Sequence, residues 1–307
     1  MGLPLAHNFI RTSSIPNIPS PLIWRITDGK AGHENQSLAL VRNLQALAPF
    51  RVLDLPASMR GLRKVSERPS LVVGTGHRTH LALLAAARRF EAPSVVIMKP
   101  TIPSAFFDLC LVPEHDLSNS TANNIIATKG MLNLIPVDRP PKEERGLILV
   151  GGPSKHHGID QDSLLSAITS IISHRPHLDW HLTDSRRTPE DFSARLDKLN
   201  LVYHPSSQSP REWLPQELLR AREVWVTEDS MSMIYEAITA RACVGLLPMP
   251  RKTPRSRVVR GIDRLIESEW TRFFSARADH DLPKPPELHE ASRCAREVLH
   301  RFFPSLT

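Results

Sequence analysis

The chain reads as an α/β protein made of two halves, each with a mostly parallel sheet, facing one another across a cleft. Three observations predict this. Apolar, β-branched runs alternate with segments of helical periodicity from Pro21 to Ala127, and the alternation restarts at Gly146 and continues to Leu247. Between them Pro136 to Arg145 holds three prolines and dense charge with little to bury, as a linker does. Polar residues follow the ends of the apolar runs, where open α/β sheets bind ligands.

The organisation expected from this is a flexible leader over 1–20, a first Rossmann-like unit over 21–140 and a second over 141–250. A basic loop and C-terminal helices over 251–307 would pack across both. Pro21 to Thr27 is the first strand. Asp28-Gly29-Lys30-Ala31-Gly32-His33-Glu34-Asn35-Gln36 follows, and Leu38, Val41, Leu44 and Leu47 then recur at helical spacing. Two glycines in such a loop permit close backbone approach to a ligand. Arg51 to Leu55 and Ser70 to Val73 are further strands. Gly74 to His80 turns into a helix through Leu81, Leu84 and Ala87. Ser94 to Met98 and Leu109 to Val112 are buried strands ending in polar residues, the second in Glu114-His115-Asp116, which either line the cleft or form a turn. Asn124 to Ala127 reads as an edge strand.

In the second half Gly146 to Val150 is a strand and Gly151 to Gly158 a loop. A helix runs from Asp160 to His174, a strand from Trp180 to Thr183, a helix from Pro189 to Leu199 and a strand from Leu201 to His204. Val224-Trp225-Val226 then leads through short polar residues into a helical pattern carried by Met233, Ile234, Ala237 and Ile238. Asp229 or Ser230 is a natural N-cap there, since its side-chain oxygen can accept from the free N–H groups of the first turn. Such a helix start suits an anion. Ser232 and Glu236 share a face, so a hydroxyl can meet a diphosphate and a carboxylate a ribose diol one turn on. An ordinary αβ unit with a capped helix explains the same residues equally well. Ala242 to Leu247 closes the sheet.

With 41% hydrophobic and 23% charged residues the composition is that of a soluble globular protein, and no apolar run approaches the length of a membrane helix. Three widely separated cysteines, Cys110, Cys243 and Cys294, form neither a disulfide framework nor a zinc pattern and fit a reducing, cytoplasmic compartment. His156 and His157 lack a carboxylate or cysteine at ligand spacing, so no metal site is expected. A net charge of +7 suggests an anionic partner. With 6% aromatics, none interleaved with the basic residues, nucleic acid is not that partner. Arg251, Lys252, Arg255, Arg257 and Arg260 form a solvated surface, a phosphate clamp or a patch for anionic membrane lipid. Ser292 to Phe303 is a final amphipathic helix.

Several blocks together carry a resemblance. They are Thr27 to Gln36, Gly74-Thr75-Gly76-His77, Pro113-Glu114-His115-Asp116, Gly151-Gly152-Pro153-Ser154 and Thr227-Glu228-Asp229-Ser230-Met231-Ser232-Met233. In this order and spacing, from about Leu22 to about Phe274, the chain resembles the "elongated mitochondria" fission-factor family and its bacterial relatives. Tyr235 departs from the pattern, where a small residue is expected; Glu236 is retained. The resemblance implies a GT-B glycosyltransferase-like fold, with the second half binding a nucleotide-sugar donor and the first presenting the acceptor. On this chain Gly151, Gly152, Ser154 and Lys155, with Asp229, Ser230, Ser232 and Glu236, would then hold the donor. Ser230 and Ser232 would contact diphosphate, Lys155 would add charge and Glu236 would accept from ribose.

The chemistry so implied is metal-independent glycosyl transfer, with the nucleotide sugar as substrate and no further cofactor. His33, Asp28 and Glu34 are the candidates for the base that an acceptor hydroxyl needs, although a helix-cap histidine and a carboxylate complementing the helix end explain His33 and Glu34 as well. The acceptor expected is a cell-envelope or lipid-linked one, with the protein peripheral on the inner face of the membrane. Two rivals stand beside this reading: a nucleotide-sugar 2-epimerase, and a non-catalytic adaptor that recruits a membrane-fission GTPase.

Overall fold

The computed structural model describes residues 20–117, 122–210, 212–254, 256–275 and 281–307. The expected leader lies outside these residues save Ser20, and Arg255 of the basic run lies outside them too. The first half comprises β1 (Leu22–Thr27), α1 (Ala31–Leu47), β2 (Arg51–Pro56), α2 (Met59–Arg63), β3 (Leu71–Thr75), α3 (His80–Phe90), β4 (Ser94–Ile97), β5 (Leu109–Pro113) and β6 (Ile125–Thr128). The second comprises β7 (Glu143–Leu149), α4 (Gln161–His174), β8 (Asp179–Thr183), β9 (Val202–His204), α5 (Trp213–Arg220), β10 (Ala221–Thr227), α6 (Met231–Thr239), β11 (Cys243–Leu247), α7 (Arg257–Glu267) and β12 (Thr271–Phe273). The last helix is α8 (Glu290–Phe302).

Each half contains a six-stranded parallel sheet, ordered β2-β1-β3-β4-β5-β6 in the first and β12-β11-β10-β7-β8-β9 in the second. The order reverses between β1 and β3, and again between β7 and β10. At such switch points the loops leave in opposite directions and open a crevice at the strands' carboxyl ends. Both sheets are covered on two faces, which is why their strands are apolar throughout rather than alternating. Ile23 and Leu71 pack with Leu40 and Leu44 of α1 on one face of the first sheet, and Trp24 and Val72 with Leu83 and Ala86 of α3 on the other. Each such side chain contributes roughly 1.5–3 kcal/mol by leaving water.

Four expectations change. Residues 189–199 do not make an α-helix: Glu190–Arg195 is a 3-10 segment, with Phe192 N–H bonding to Pro189 and Leu196 N–H to Ser193. Strand β7 begins at Glu143, inside the expected linker. Helix α5 lies where the sequence reading placed no element, and its Pro215 falls in the first turn, where no N–H is needed. The sheet closes on β12, not β11.

The residues after Pro250 divide between the halves. Helix α7 and β12 complete the second, whereas Ala291, Cys294, Ala295 and Val298 of α8 join the core of the first against α1. The crossing is fixed on both sides: Glu290 accepts from the Lys129 N–H (2.9 Å), and Asn133 donates to Thr239 Oγ1 (2.9 Å). Among the described residues, no helix is long and apolar enough to cross a membrane.

Candidate functional site

At the first switch point β1 ends, and α1 begins after three intervening residues. Gly29, at φ +78°, makes the turn, and Asp28 Oδ1 accepts from the Lys30 N–H (3.1 Å). This places His33 in the first turn of α1, with Nδ1 2.9 Å from Asp28 Oδ2. An ionised carboxylate only accepts, so Nδ1 carries the proton and Nε2 keeps its lone pair. Burial raises the Asp28 carboxyl, but the hydrogen bonds from His33 and Lys30, with their charges, outweigh it and hold Asp28 below the usual carboxylate range. The ring rests on Gly76 at the end of β3. Gly76 has φ +80°, and a Cβ there would come within 2.3 Å of His33 Cε1, so the position needs glycine twice over.

At the second switch point Asp229 follows β10, its side chain wholly buried. Its Oδ2 accepts from Arg187 Nη2 (2.6 Å) and from the Gly152 N–H (3.3 Å). Arg187 also donates to the Gly152 carbonyl oxygen (2.8 Å). The Gly151 N–H bonds to Thr227 Oγ1 (2.7 Å), and a Cβ on Gly151 would sit 2.3 Å from Asp229 Oδ1. Asp229 is therefore a latch between the β7 and β10 loops and not the helix cap. Ser230 occupies the N-cap position but makes no side-chain cap bond. The first-turn N–H groups of α6, at Met231, Ser232 and Met233, are thus left unmatched by helix geometry.

One cavity of about 530 Å³ joins the two switch points. Gly32, His33, Asn35 and Met98 wall it from the first half, and Arg187, Leu214, Asp229 to Met233, Glu236 and Val258 from the second. Glu236 is enclosed by the cleft walls while part of its surface still opens on the cavity, and this burial pushes its carboxyl up to about 7. Met98, at φ +73°, holds a backbone conformation uncommon for a residue with a Cβ.

Of the residues expected at the site, the cavity brings together His33, Asp229, Ser230, Ser232 and Glu236, with Asp28 directly behind His33. Glu34 is not in its wall; its carbonyl oxygen accepts from the buried Arg25. Gly151, Gly152, Ser154 and Lys155 do not line it either. Ser154 Oγ accepts from the N–H groups of His156 (3.1 Å) and His157 (3.0 Å), and Lys155 is exposed. The basic run is largely engaged. Arg251 binds Glu228 (2.8 Å) and Asp263 (3.0 Å), Lys252 donates to the Ser154 carbonyl oxygen, and Arg257 pairs with Asp116 (3.0 Å). Arg187 is a cavity-wall cation that sequence reasoning passed over. It lies just beyond a strand's carboxyl end, the position that singled out the others.

Two Rossmann-like halves with parallel sheets, opposed across a cleft that both switch points face, constitute the GT-B fold. Solved structures of that kind superpose on nearly the whole chain. S. aureus MnaA, solved with UDP, matches at TM-score 0.50 and 13% identity, over 93% of this chain and 90% of its own. Phytolacca americana UGT2, complexed with UDP-2-fluoro-glucose and pterostilbene, matches at TM-score 0.51 and 11% identity, over 94% and 91%. In sequence, RP120, an uncharacterized protein of Rickettsia prowazekii (strain Madrid E), is 21% identical, over 82% of this chain and 90% of its own. The family follows from a match over residues 31–302: this chain belongs to the Mitochondrial fission ELM1 family.

Proposed function

We propose that this protein transfers a sugar from a nucleotide-sugar donor to an acceptor hydroxyl, with the phosphate charge met by protein groups. The observation that carries this is the uncapped start of α6 and the Asp28–His33 pair opening on one cavity. The diphosphate sits at the N–H groups of Met231 to Met233 and the Ser232 hydroxyl, beside Arg187, whose remaining N–H groups are free to donate. Glu236, one turn on, accepts from the ribose hydroxyls. Across the cavity His33 Nε2 takes the proton of the acceptor hydroxyl as its oxygen attacks the anomeric carbon and the bond to the diphosphate breaks. Asp28 steadies the imidazolium that results.

The UDP-bound neighbours share this fold, which supports a nucleotide-sugar ligand. The 2-epimerase reading calls for several carboxylates and a histidine around the sugar. The carboxylates in the cavity wall are Asp229, tied to Arg187, and Glu236, which supports transfer instead. A membrane-borne acceptor is supported by Leu81, 78% exposed at the start of α3, and Phe106, 51% exposed beneath the Arg88 guanidinium.

The test is thermal shift against sugar diphosphates of uridine, guanosine, cytidine and thymidine, followed by NMR of the products with and without acceptors. A rise in Tm and acceptor-dependent release of nucleoside diphosphate are expected. No shift with any of them, alongside stabilisation by a protein partner, would leave the adaptor reading in its place.

A further inference from the structure

A second, smaller chamber of about 200 Å³ lies between the halves, walled by residues following β5 and β6 and by α6 and α7. Met231 separates it from the larger cavity: its Cε lies where a Cβ on Gly261 would come within 2.9 Å, and Gly261 lines the smaller chamber. A methionine has three rotatable bonds, so the partition is a flexible one. We propose that this chamber is a second anion site that takes a phosphate monoester.

Its lining supplies donors from four directions. Lys129 follows β6 and Arg264 comes from α7; Tyr235 comes from α6, and Ser268 follows α7. His115, after β5, has only a tenth of its side chain exposed, and its Nδ1 is buried with no hydrogen-bond partner among the described residues. A buried polar atom left so is costly unless something meets it. Among the described residues, neither cation has a carboxylate in ion-pair contact. Arg264 spends one N–H on the Glu114 carbonyl oxygen (3.3 Å), and Lys129 lies 6.0 Å from the Trp270 ring centroid. The Glu114 carboxylate is at the exposed rim, so the lining carries two cations against one anion. Arg257 and Asp116 cancel in their own ion pair. Convergent donors around so small a space fit a tetrahedral oxyanion better than a planar carboxylate, which offers only two oxygens.

Tyr235 has a purpose here. Its ring lies over Gly130, where a Cβ would meet Cδ1 at 2.3 Å, and so forms the chamber's floor between the halves. A small residue would leave that floor open. If the phosphate belongs to the acceptor, the inference rests on the transferase reading; the binding itself does not.

The test is isothermal titration of the full chain with inorganic phosphate and with glycerol 3-phosphate, with UDP at saturation in the larger cavity. A parallel arm measures co-sedimentation with phosphatidylcholine vesicles, with and without phosphatidic acid, to separate a lipid headgroup from a soluble ester. Lys129→Ala and Arg264→Ala, both exposed and expected to fold, should each lower phosphate affinity about tenfold, as loss of a charge-assisted bond does. Tyr235→Phe should lower it less, and Lys64→Ala, on a distant surface, should change nothing. Phosphate binding that UDP abolishes, that survives both cation variants, or that is absent from both arms would overturn the proposal. Failure of the donor reading shows separately, as no thermal shift with UDP.

Discussion

Two loops of this chain look alike as sequence and do different work in the fold. Asp28 to Gln36 and Gly151 to Lys155 each follow a buried strand, each carry two glycines and each lead to a helix. The first keeps its side chains for the cavity: nothing lies within 4 Å of a Cβ added at Gly32, and His33 stands in the wall, held by Asp28. The second is filled by its own half. The Asp229 carboxylate occupies the space beside Gly151, and the Arg187 carbonyl that beside Gly152, 2.0 Å from an added Cβ. Glycine in a strand-to-helix loop marks close approach of something. Whether that is a ligand or the protein itself depends on which groups the neighbouring strand sends across the switch point.

The largest effect that would break this contrast is on catalysis. His33→Ala should cut turnover about 10²–10⁴-fold with nucleotide affinity unchanged, as loss of a general base does; a loss of affinity with full turnover would move His33 from the chemistry to the scaffold. Next comes Gly152→Ala, where the added methyl meets fixed backbone. A loss of about 1–3 kcal/mol in denaturant unfolding is expected, and an unchanged midpoint would mean the second loop is as open as the first.

Glu236→Gln sharpens the donor side in two measurements. Nucleotide affinity should fall about tenfold, the value of a hydrogen bond to a charged acceptor. Stability should move the other way, and only above about pH 4.5. The Glu236 carboxyl is raised from its ordinary 4.5 to about 7, so below 4.5 both folded and unfolded chains hold the proton and nothing is lost. Between about 4.5 and 7 the unfolded chain gives up the proton while the folded chain keeps it, so stability falls across that window and levels off once the enclosed carboxyl ionises near 7. The variant should therefore exceed the parent by about 3 kcal/mol near pH 8 and equal it near pH 4. The smallest effect is Gly32→Ala, in open space within α1, which should stabilise the fold by about 0.5–1 kcal/mol. Comparing it with Gly152→Ala in one denaturation series tests the contrast between the loops directly.

Much of this was legible beforehand because strands buried on two faces are written as continuous apolar runs, and helices as a repeat near 3.6. Leu22 to Ile26, Leu71 to Val73 and Val224 to Val226 could hardly be read otherwise. The 3-10 segment at Glu190–Arg195 and the three-residue β12 were not legible, since both are too short to carry a period. Arg187 was missed for another reason. Its neighbour Arg186 is equally basic and equally exposed in sequence, and only the approach of Asp229 picks one of the two.

The sequence by itself determined the α/β class, the two-part plan and the positions of the loops that flank the cleft, because periodicity and punctuation are local properties of a chain. Tertiary structure alone decided which carboxylate would be spent. Asp229 could have capped its helix, but Arg187 and the Gly152 N–H reach it from loops more than thirty residues away. That choice leaves the first turn of α6 open, and no local rule foretells it, because a carboxylate goes to whichever donors the fold brings nearest.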